Sequence, residues 1–278
     1  MLRATSKPLI SVVMPTFNAE IYIARAIESI LGQSFTNFEL VIVDDCSTDK
    51  TLSIARKYAT SDKRIRIVRN EKNLKIAKSL NRAVKISKSD IIARMDADDI
   101  SDPRRLELQY RVLKLRPKVA VVGANMIVVD EKGEVISKRR YPTESKELKK
   151  VLFRYSAFAH PVVMFRKRVF EEFGGYIENV FPVEDLDLWF KIGSKYQFAT
   201  VPRFLLKYTL YTTSSSHKNL KSIEFLGLKV KLNAIKNLGY RPSLYDVLYN
   251  ILEYSTIWFM PSRFRIWCFN LLRNNGLI

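Results

Sequence analysis

Cysteine is nearly absent from this chain. Cys46 and Cys268 are the only two in 278 residues, too few for a disulfide framework and without the spacing of metal ligands. That usage suits a reducing compartment, so a cytoplasmic protein is expected. No run reaches 18 apolar residues, so no transmembrane helix is predicted. The apolar run at residues 9–14 stops at Pro15, too short for the core of a signal peptide, and reads as a first strand. Glycine is missing where a dinucleotide site needs it. The turn after that strand is Pro15-Thr16-Phe17-Asn18, not Gly-x-Gly-x-x-Gly, and no P-loop occurs anywhere.

Acid is scarce too: 28 Asp and Glu stand against 47 Lys and Arg, a formal charge of +19. From residue 188 onward there are 13 Lys/Arg and 3 Asp/Glu, so about half of the excess lies in the last third. Such a charge points to nucleic acid or an anionic membrane as partner. The acids that do occur concentrate around positions 44–49, 90–102 and 178–187. With 47% hydrophobic and 27% charged residues, the composition is globular. The length allows one large domain, or one domain with an appendage.

Strand and helix patterns alternate from the start. A β-branched run at 10–14 precedes Ile23, Ala26, Ile27, Ile30 and Leu31, the stripe of a helix lying on a core. Residues 38–43 form a second strand, 51–60 a helix, 65–69 a strand, 75–88 a helix and 90–95 a strand. Four alternations with short connections predict an α/β fold with a parallel sheet covered on both faces. In such sheets ligands bind beyond the carboxyl ends of the strands. Thr16 and Asn18 follow the first strand, Asp44 and Asp45 the second, and Asp96 and Asp98 the strand at 90–95. All three loops are therefore predicted to open on one sheet edge.

The stretch Asp90-Ile91-Ile92-Ala93-Arg94-Met95-Asp96-Ala97-Asp98-Asp99 is central to that site. Three acids in four residues repel one another unless something positive lies among them. A divalent cation with oxygen ligands and the hydroxyls of a substrate meet that need. The competing reading is a polar loop in which Asp98 or Asp99 caps a helix opened by Pro103. Without a glycine turn, a nucleotide diphosphate needs another neutralising group, and a metal on Asp98 supplies one. Asp44 is placed to accept from a base ring NH, and Asp96 from ribose hydroxyls.

Three ordered motifs carry a family resemblance. They are Ile10-Ser11-Val12-Val13-Met14-Pro15-Thr16-Phe17-Asn18, Val41-Ile42-Val43-Asp44-Asp45-Cys46-Ser47-Thr48-Asp49 and Met95-Asp96-Ala97-Asp98-Asp99. The chain resembles the family 2 glycosyltransferases over roughly residues 8–215. The resemblance implies a GT-A fold, a Rossmann-like mostly parallel sheet flanked by helices, and an inverting transferase using a nucleotide-activated sugar with Mg²⁺ or Mn²⁺. It implies that Pro15, Thr16 and Asn18 line the base pocket and that Asp44 and Asp45 lie against the donor nucleotide. It further implies that Asp96 reaches the ribose or sugar and that Asp98 holds the metal. Asn73 and Lys78 fall in the segment that approaches the donor in that family, although a solvated helix face also explains Lys78.

Further on, residues 103–116 read as a helix with Leu106, Tyr110 and Leu113 on one side, and 119–129 as strands before a hairpin turn at 131–134. His160-Pro161-Val162-Val163-Met164-Phe165-Arg166 is similar to a family strand beneath the acceptor, which makes His160 an acceptor candidate or a structural histidine. Pro182-Val183-Glu184-Asp185-Leu186-Asp187-Leu188-Trp189 places acids at a helix start, where the dipole alone favours them and keeps a carboxylate ionised near neutral pH. Inverting transfer needs a carboxylate to take the acceptor proton. The pair resembles the family's Glu-Asp motif, implying Asp185 as base, Glu184 as an orienting contact and Trp189 as a further acceptor contact. One departure is a Tyr-Arg-x-His pattern in many relatives, matched here by Tyr208-Thr209-Leu210-Tyr211. His217, in Ser216-His217-Lys218 just beyond, is the candidate substitute metal ligand.

The predicted division is a catalytic domain at 1–218 (donor half about 8–125, acceptor half about 126–218) and a basic, aromatic-rich helical extension at 219–278. Helix candidates lie at 226–238 and 245–260, the latter with Leu248, Ile251, Leu252, Trp258 and Phe259. A third, at 263–273, mixes aromatic and basic residues. These helices suit either packing on the domain or a membrane interface on the cytoplasmic face. The expected partners are a nucleotide-sugar donor, a glycan or polyprenyl-linked acceptor and an anionic membrane surface. No nucleic acid is expected, because acid loops at one edge repel phosphates. A nucleotidyltransferase also pairs acids with metal but has no use for Glu184-Asp185.

Overall fold

Strands β1 (Ile10–Thr16) and β2 (Phe38–Asp44) are buried along their whole length, as strands covered on both faces must be. The computed structural model describes residues 7–180, 182–211, 220–257 and 259–274. Alternate side chains of these strands enter two different cores. Val12, Met14, Leu40 and Ile42 meet the stripe Ile23, Ala26, Ile27 and Ile30 of helix α1 (Ile23–Leu31) on one face. Val13, Val41 and Val43 meet Leu80, Ala83 and Val84 of α3 (Lys75–Ile86) on the other.

Helix α2 (Thr51–Ser61), strand β3 (Ile65–Arg69) and strand β4 (Ile91–Arg94) complete the alternation, and β3-β2-β1-β4 are parallel neighbours. Short strand β5 (Ile100–Ser101) precedes α4 (Arg105–Leu115), the long strand β6 (Val119–Val129) and β7 (Val135–Arg139). The β6–β7 turn forms because Asp130 Oδ1 accepts from the amides of Lys132 and Glu134, while Gly133 takes φ +87°. Helix α5 (Ser145–Val151), strand β8 (Met164–Arg166), α6 (Lys167–Glu172), α7 (Glu184–Lys195) and strand β9 (Gln197–Thr209) follow. The order is β3-β2-β1-β4-β8-β6-β9-β5, with β8 antiparallel to both neighbours, β6 parallel to β9, and β7 paired antiparallel with β6 off this path. The sheet is mixed but mostly parallel, in a GT-A fold. The stretch expected as a strand from His160 is a 3₁₀ turn over His160–Val162, and only Met164–Arg166 pairs.

Three helices extend the chain: α8 (Leu220–Asn237), α9 (Leu244–Ser255) and α10 (Ser262–Asn274). Val230 and Ala234 of α8 join the second core, and Tyr240 donates to the Phe190 carbonyl at 3.1 Å. The helix expected to reach residue 260 ends at Ser255, and Trp258 lies outside the described residues. Among the described residues, no helix is long and apolar enough to cross a membrane.

Candidate active site

β4 ends in the acid loop because Met95 N still donates to Val13 O (3.0 Å), after which the chain turns away towards β5. The loop does not cap a helix. Asp102, not Asp98 or Asp99, shapes the entry to α4, its Oδ1 accepting from the Arg104 amide and its carbonyl from the Arg105 amide, and β9 latches the loop from the other side. Thr209 donates its hydroxyl to the Asp98 carbonyl at 3.0 Å and its amide to Asp99 Oδ1 at 3.3 Å. Asp96, Asp98 and Asp99 thereby bring one carboxylate oxygen each within 4.8 Å of one another.

Like charges so close, and buried, resist ionisation. Burial first, and Asp96 second, push the Asp98 carboxyl up to about 6, and the same causes raise Asp99 well above its ordinary value. Asp99 Oδ2 is buried without a protein partner. Two arginines supply countercharge. Arg94 ion-pairs with Asp96 at 2.8 Å, and its Nε and Nη1 are buried without protein partners. Arg105, fully buried beneath the loop, donates to the Arg94 carbonyl and to Gln109, and burial lowers its guanidinium to about 9. The three close carboxylates, with one oxygen still unsatisfied, suit a hard divalent cation such as Mg²⁺ or Mn²⁺.

An open cleft of about 640 Å³ holds the rest of the candidate site. Pro15, Thr16, Asn18, Arg94, Asp96, Asp98, His160, Glu184, Asp185, Tyr208 and Tyr211 all line it. The two acids at the start of α7 therefore share one cavity with the acid loop. Burial, then Asp185, raises Glu184 to about 7, and its Oε2 has no protein partner. Asp185 is raised as well, mainly by burial, although it accepts from Ser156 Oγ (3.1 Å) and the Leu186 amide (2.8 Å). Burial thus outweighs the helix start that was expected to keep a carboxylate there readily ionised. His160 is held neutral by burial and by Arg94, and its Nε2 bonds Tyr176 Oη at 2.8 Å.

Several expected residues lie behind the cleft wall. Asp44 is the register partner of Thr16 and ion-pairs with Arg69 (3.3 Å), while its Oδ1 and Thr16 Oγ1 are both buried without a protein partner. Asp45, expected against the donor, is not on the cleft. Its carboxylate accepts from Asn70 Nδ2 and the amides of Leu74 and Lys75, shaping the entry to α3. Asn73 accepts from the Lys75 amide on that loop, and Lys78 pairs with Glu178. Trp189, expected at the acceptor, is fully buried and stacks edge-on beneath His160 with centroids 6.2 Å apart. Asn18 lines the cleft with φ +47° and ties the loops together by accepting from the Thr48 amide. His217, with Ser216 and Lys218, lies outside the described residues. The sequence reading missed Arg94 and Arg105, whose only signal was arginine beside an acid run.

Sheet, acid loop and paired acids on a helix start are together the arrangement of a GT-A transferase. A family model described as Glycosyl transferase family 2 matches residues 11–174, more than half of the chain. The chain is 35% identical over 225 residues to the O-antigen biosynthesis glycosyltransferase WbnJ of Escherichia coli, covering 78% of this chain and 85% of that protein. Among solved structures, S. aureus TarS in complex with UDP-GlcNAc matches with a TM-score of 0.70 at 21% identity, over 87% of this chain and 70% of that one. The mannosyltransferase PcManGT from Pyrobaculum calidifontis, in complex with GDP-Man and Mn²⁺, matches with a TM-score of 0.61 at 18% identity, over 95% and 84%. The chain belongs to glycosyl transferase family 2, and is a glycosyltransferase.

Proposed function

We propose that this protein is an inverting, metal-assisted transferase that moves a sugar from a UDP- or GDP-sugar to a hydroxyl of a glycan or lipid-linked acceptor. The observation that carries the reading is that Asp98 and Asp185, 87 positions apart in the chain, line the same cleft. Asp185 takes the proton of the acceptor hydroxyl as its oxygen attacks the anomeric carbon. The bond to the diphosphate breaks in the same displacement, and the nucleoside diphosphate leaves with the electron pair. Glu184 orients the acceptor beside it, and His160 borders the sugar or acceptor. Asp98, with Asp99 alongside, would hold Mg²⁺ or Mn²⁺, which when bound offsets charge on the diphosphate. Asp96, fixed by Arg94, accepts from ribose or sugar hydroxyls. Thr16, on the cleft, offers its unpaired hydroxyl oxygen to a base edge, and Asp44 on the neighbouring strand, paired with Arg69, backs that pocket.

WbnJ is named for O-antigen biosynthesis, which supports a polysaccharide acceptor, and the donors in the TarS and PcManGT complexes support a nucleotide sugar. The reading includes a catalytic domain at about 1–218 and a helical extension at 219–278. It places the protein in the cytoplasm, in peripheral contact with anionic membrane. A panel of nucleotide sugars assayed for nucleoside diphosphate release with glycan acceptors tests the chemistry. Asp185→Asn is expected to lower kcat by about 10²–10⁴-fold while donor affinity stays. Asp98→Ala is expected to lose cation-dependent donor binding. Transfer of the nucleotide instead of the sugar, or near-normal turnover by Asp185→Asn, would sink the reading.

A further inference from the structure

Helix α9 is built inside out. Its inward side carries Asp246, Asn250 and Glu253, and its outward side carries Leu244, Val247, Leu248, Ile251 and Leu252 at i, i+3, i+4, i+7 and i+8. Leu244 is 76% exposed, Ile251 61% and Leu252 64%. The polar side is bonded to the protein. Asp246 closes a capping box with Ser243 and pairs with Arg154 at 3.1 Å, and Asn250 donates to the Phe153 carbonyl at 2.8 Å. Glu253 lies 3.5 Å from Lys231. Helix α10 repeats the inversion. Arg265 is buried on Glu224, whereas Phe264 and Trp267 stack on each other at the surface with centroids 5.6 Å apart. Between the two helices Phe259 is 85% exposed.

Amphipathic helices on a water-soluble core turn the apolar stripe inward. Two successive helices doing the reverse offer an apolar surface to a bilayer or to another protein surface. Charge favours the bilayer. All three acids from residue 188 onward, Glu224, Asp246 and Glu253, are held in inward ion pairs, so the extension's carboxylates are neutralised before the outer surface. At the N-terminal end of α9 a groove of about 420 Å³ is lined by Lys146, Lys149, Lys150 and Arg241. Asp246 is the one carboxylate on it, and Arg154 already holds that side chain. The groove meets α9 at its capping end, where Ser243 and Asp246 line it and the aliphatic face begins at the adjacent Leu244, and the two together complement the phosphates and the acyl boundary of an anionic bilayer. Nucleic acid would use the groove but leave the aliphatic face in water.

We propose that the outward faces of α9 and α10 form a membrane-docking surface, with the Lys146, Lys149, Lys150 and Arg241 groove taking head-group phosphates of anionic phospholipid. The inference rests on the peripheral-membrane part of the reading above for its partner class, and not on the transfer chemistry.

The test is co-sedimentation of the full chain with vesicles of phosphatidylcholine alone or mixed with phosphatidylglycerol. Wild type is expected to prefer the anionic vesicles. Leu248→Glu with Ile251→Glu, both at exposed positions and checked by thermal melting, is expected to weaken partition at least about tenfold. Lys149→Gln with Lys150→Gln is expected to cost about fivefold per lysine on anionic vesicles and little on neutral ones. Wild-type binding that neither pair weakens overturns the assignment of this face and leaves the peripheral reading standing. No wild-type binding to either vesicle overturns both. Self-association without vesicle binding, broken by Leu248→Glu with Ile251→Glu, makes the face a contact between copies and also overturns the proposal.

Discussion

Glu184 is a carboxyl whose surroundings disfavour its charge. It is buried, Asp185 is its sequence neighbour, and together these raise it from 4.5 to about 7. Between those two values the folded protein binds the proton that the unfolded chain has already released. Folding stability therefore falls as pH rises through that window, and the loss is complete above about 7. Glu184→Gln keeps the shape and removes the charge. At pH 8 it is expected to raise stability by on the order of 2 kcal/mol, measured as a higher midpoint in urea, with a smaller gain at pH 5. No gain at pH 8 would mean that the cleft solvates this carboxylate after all. If Glu184 orients the acceptor, the same substitution lowers turnover, so the site keeps its acid at a cost to the fold.

The element that presents these acids, α7, depends on a glycine in its last turns. A Cβ at Gly193 would lie 2.4 Å from Tyr240 Oη and 3.0 Å from the Phe198 ring, because Tyr240 crosses the helix there to reach the Phe190 carbonyl. Alanine favours a helix over glycine by about 1 kcal/mol. Here the close approach wins, and Gly193→Ala is expected to destabilise by roughly 1–3 kcal/mol in a urea melt. A neutral or stabilising result would show that Tyr240 swings aside freely. Much at this scale was legible in the chain. The apolar runs ending at Thr16, Asp44 and Arg94 gave the parallel strands, because burial on both faces leaves continuous β-branched sequence. The face of α7 was not legible. Glu184 and every residue from Leu186 to Phe190 are buried, so Trp189 looks like any other inward residue and lands under His160 instead of in the cleft. Asp44 and Asp45 could not be ranked either, since neighbours at a strand end point apart and only the loop at 70–75 shows which carboxylate it claims. The stripe of α9 suits a packed helix and a membrane-facing one equally in sequence, and nothing local records that it faces outward.

Across the whole molecule, a chain of charge +19 gathers Asp96, Asp98, Glu184 and Asp185 into one cleft, with Asp99 buried behind them, and backs them with Arg94 and Arg105. Without a cation, that concentration works against the fold. Asp98 rises from 3.8 to about 6 and Glu184 from 4.5 to about 7, so both contribute instability that grows from about pH 4 to pH 7. A divalent cation needs the ionised carboxylates, so its stabilising effect grows over the same range. The thermal midpoint in EDTA is therefore expected to fall between pH 5 and pH 8, while the midpoint in Mn²⁺ falls less, and the gap is widest at pH 8. At a cation concentration of 100 Kd that gap corresponds to about 2.7 kcal/mol. Asp98→Asn separates the metal from the general effect of charge. It is expected to raise the EDTA midpoint at pH 8 and to close the gap, whereas Glu184→Gln raises the midpoint and leaves the gap. A gap that survives Asp98→Asn would show that Asp98 does not hold the cation, and Asp99, whose Oδ2 has no protein partner, would then be the ligand to remove next.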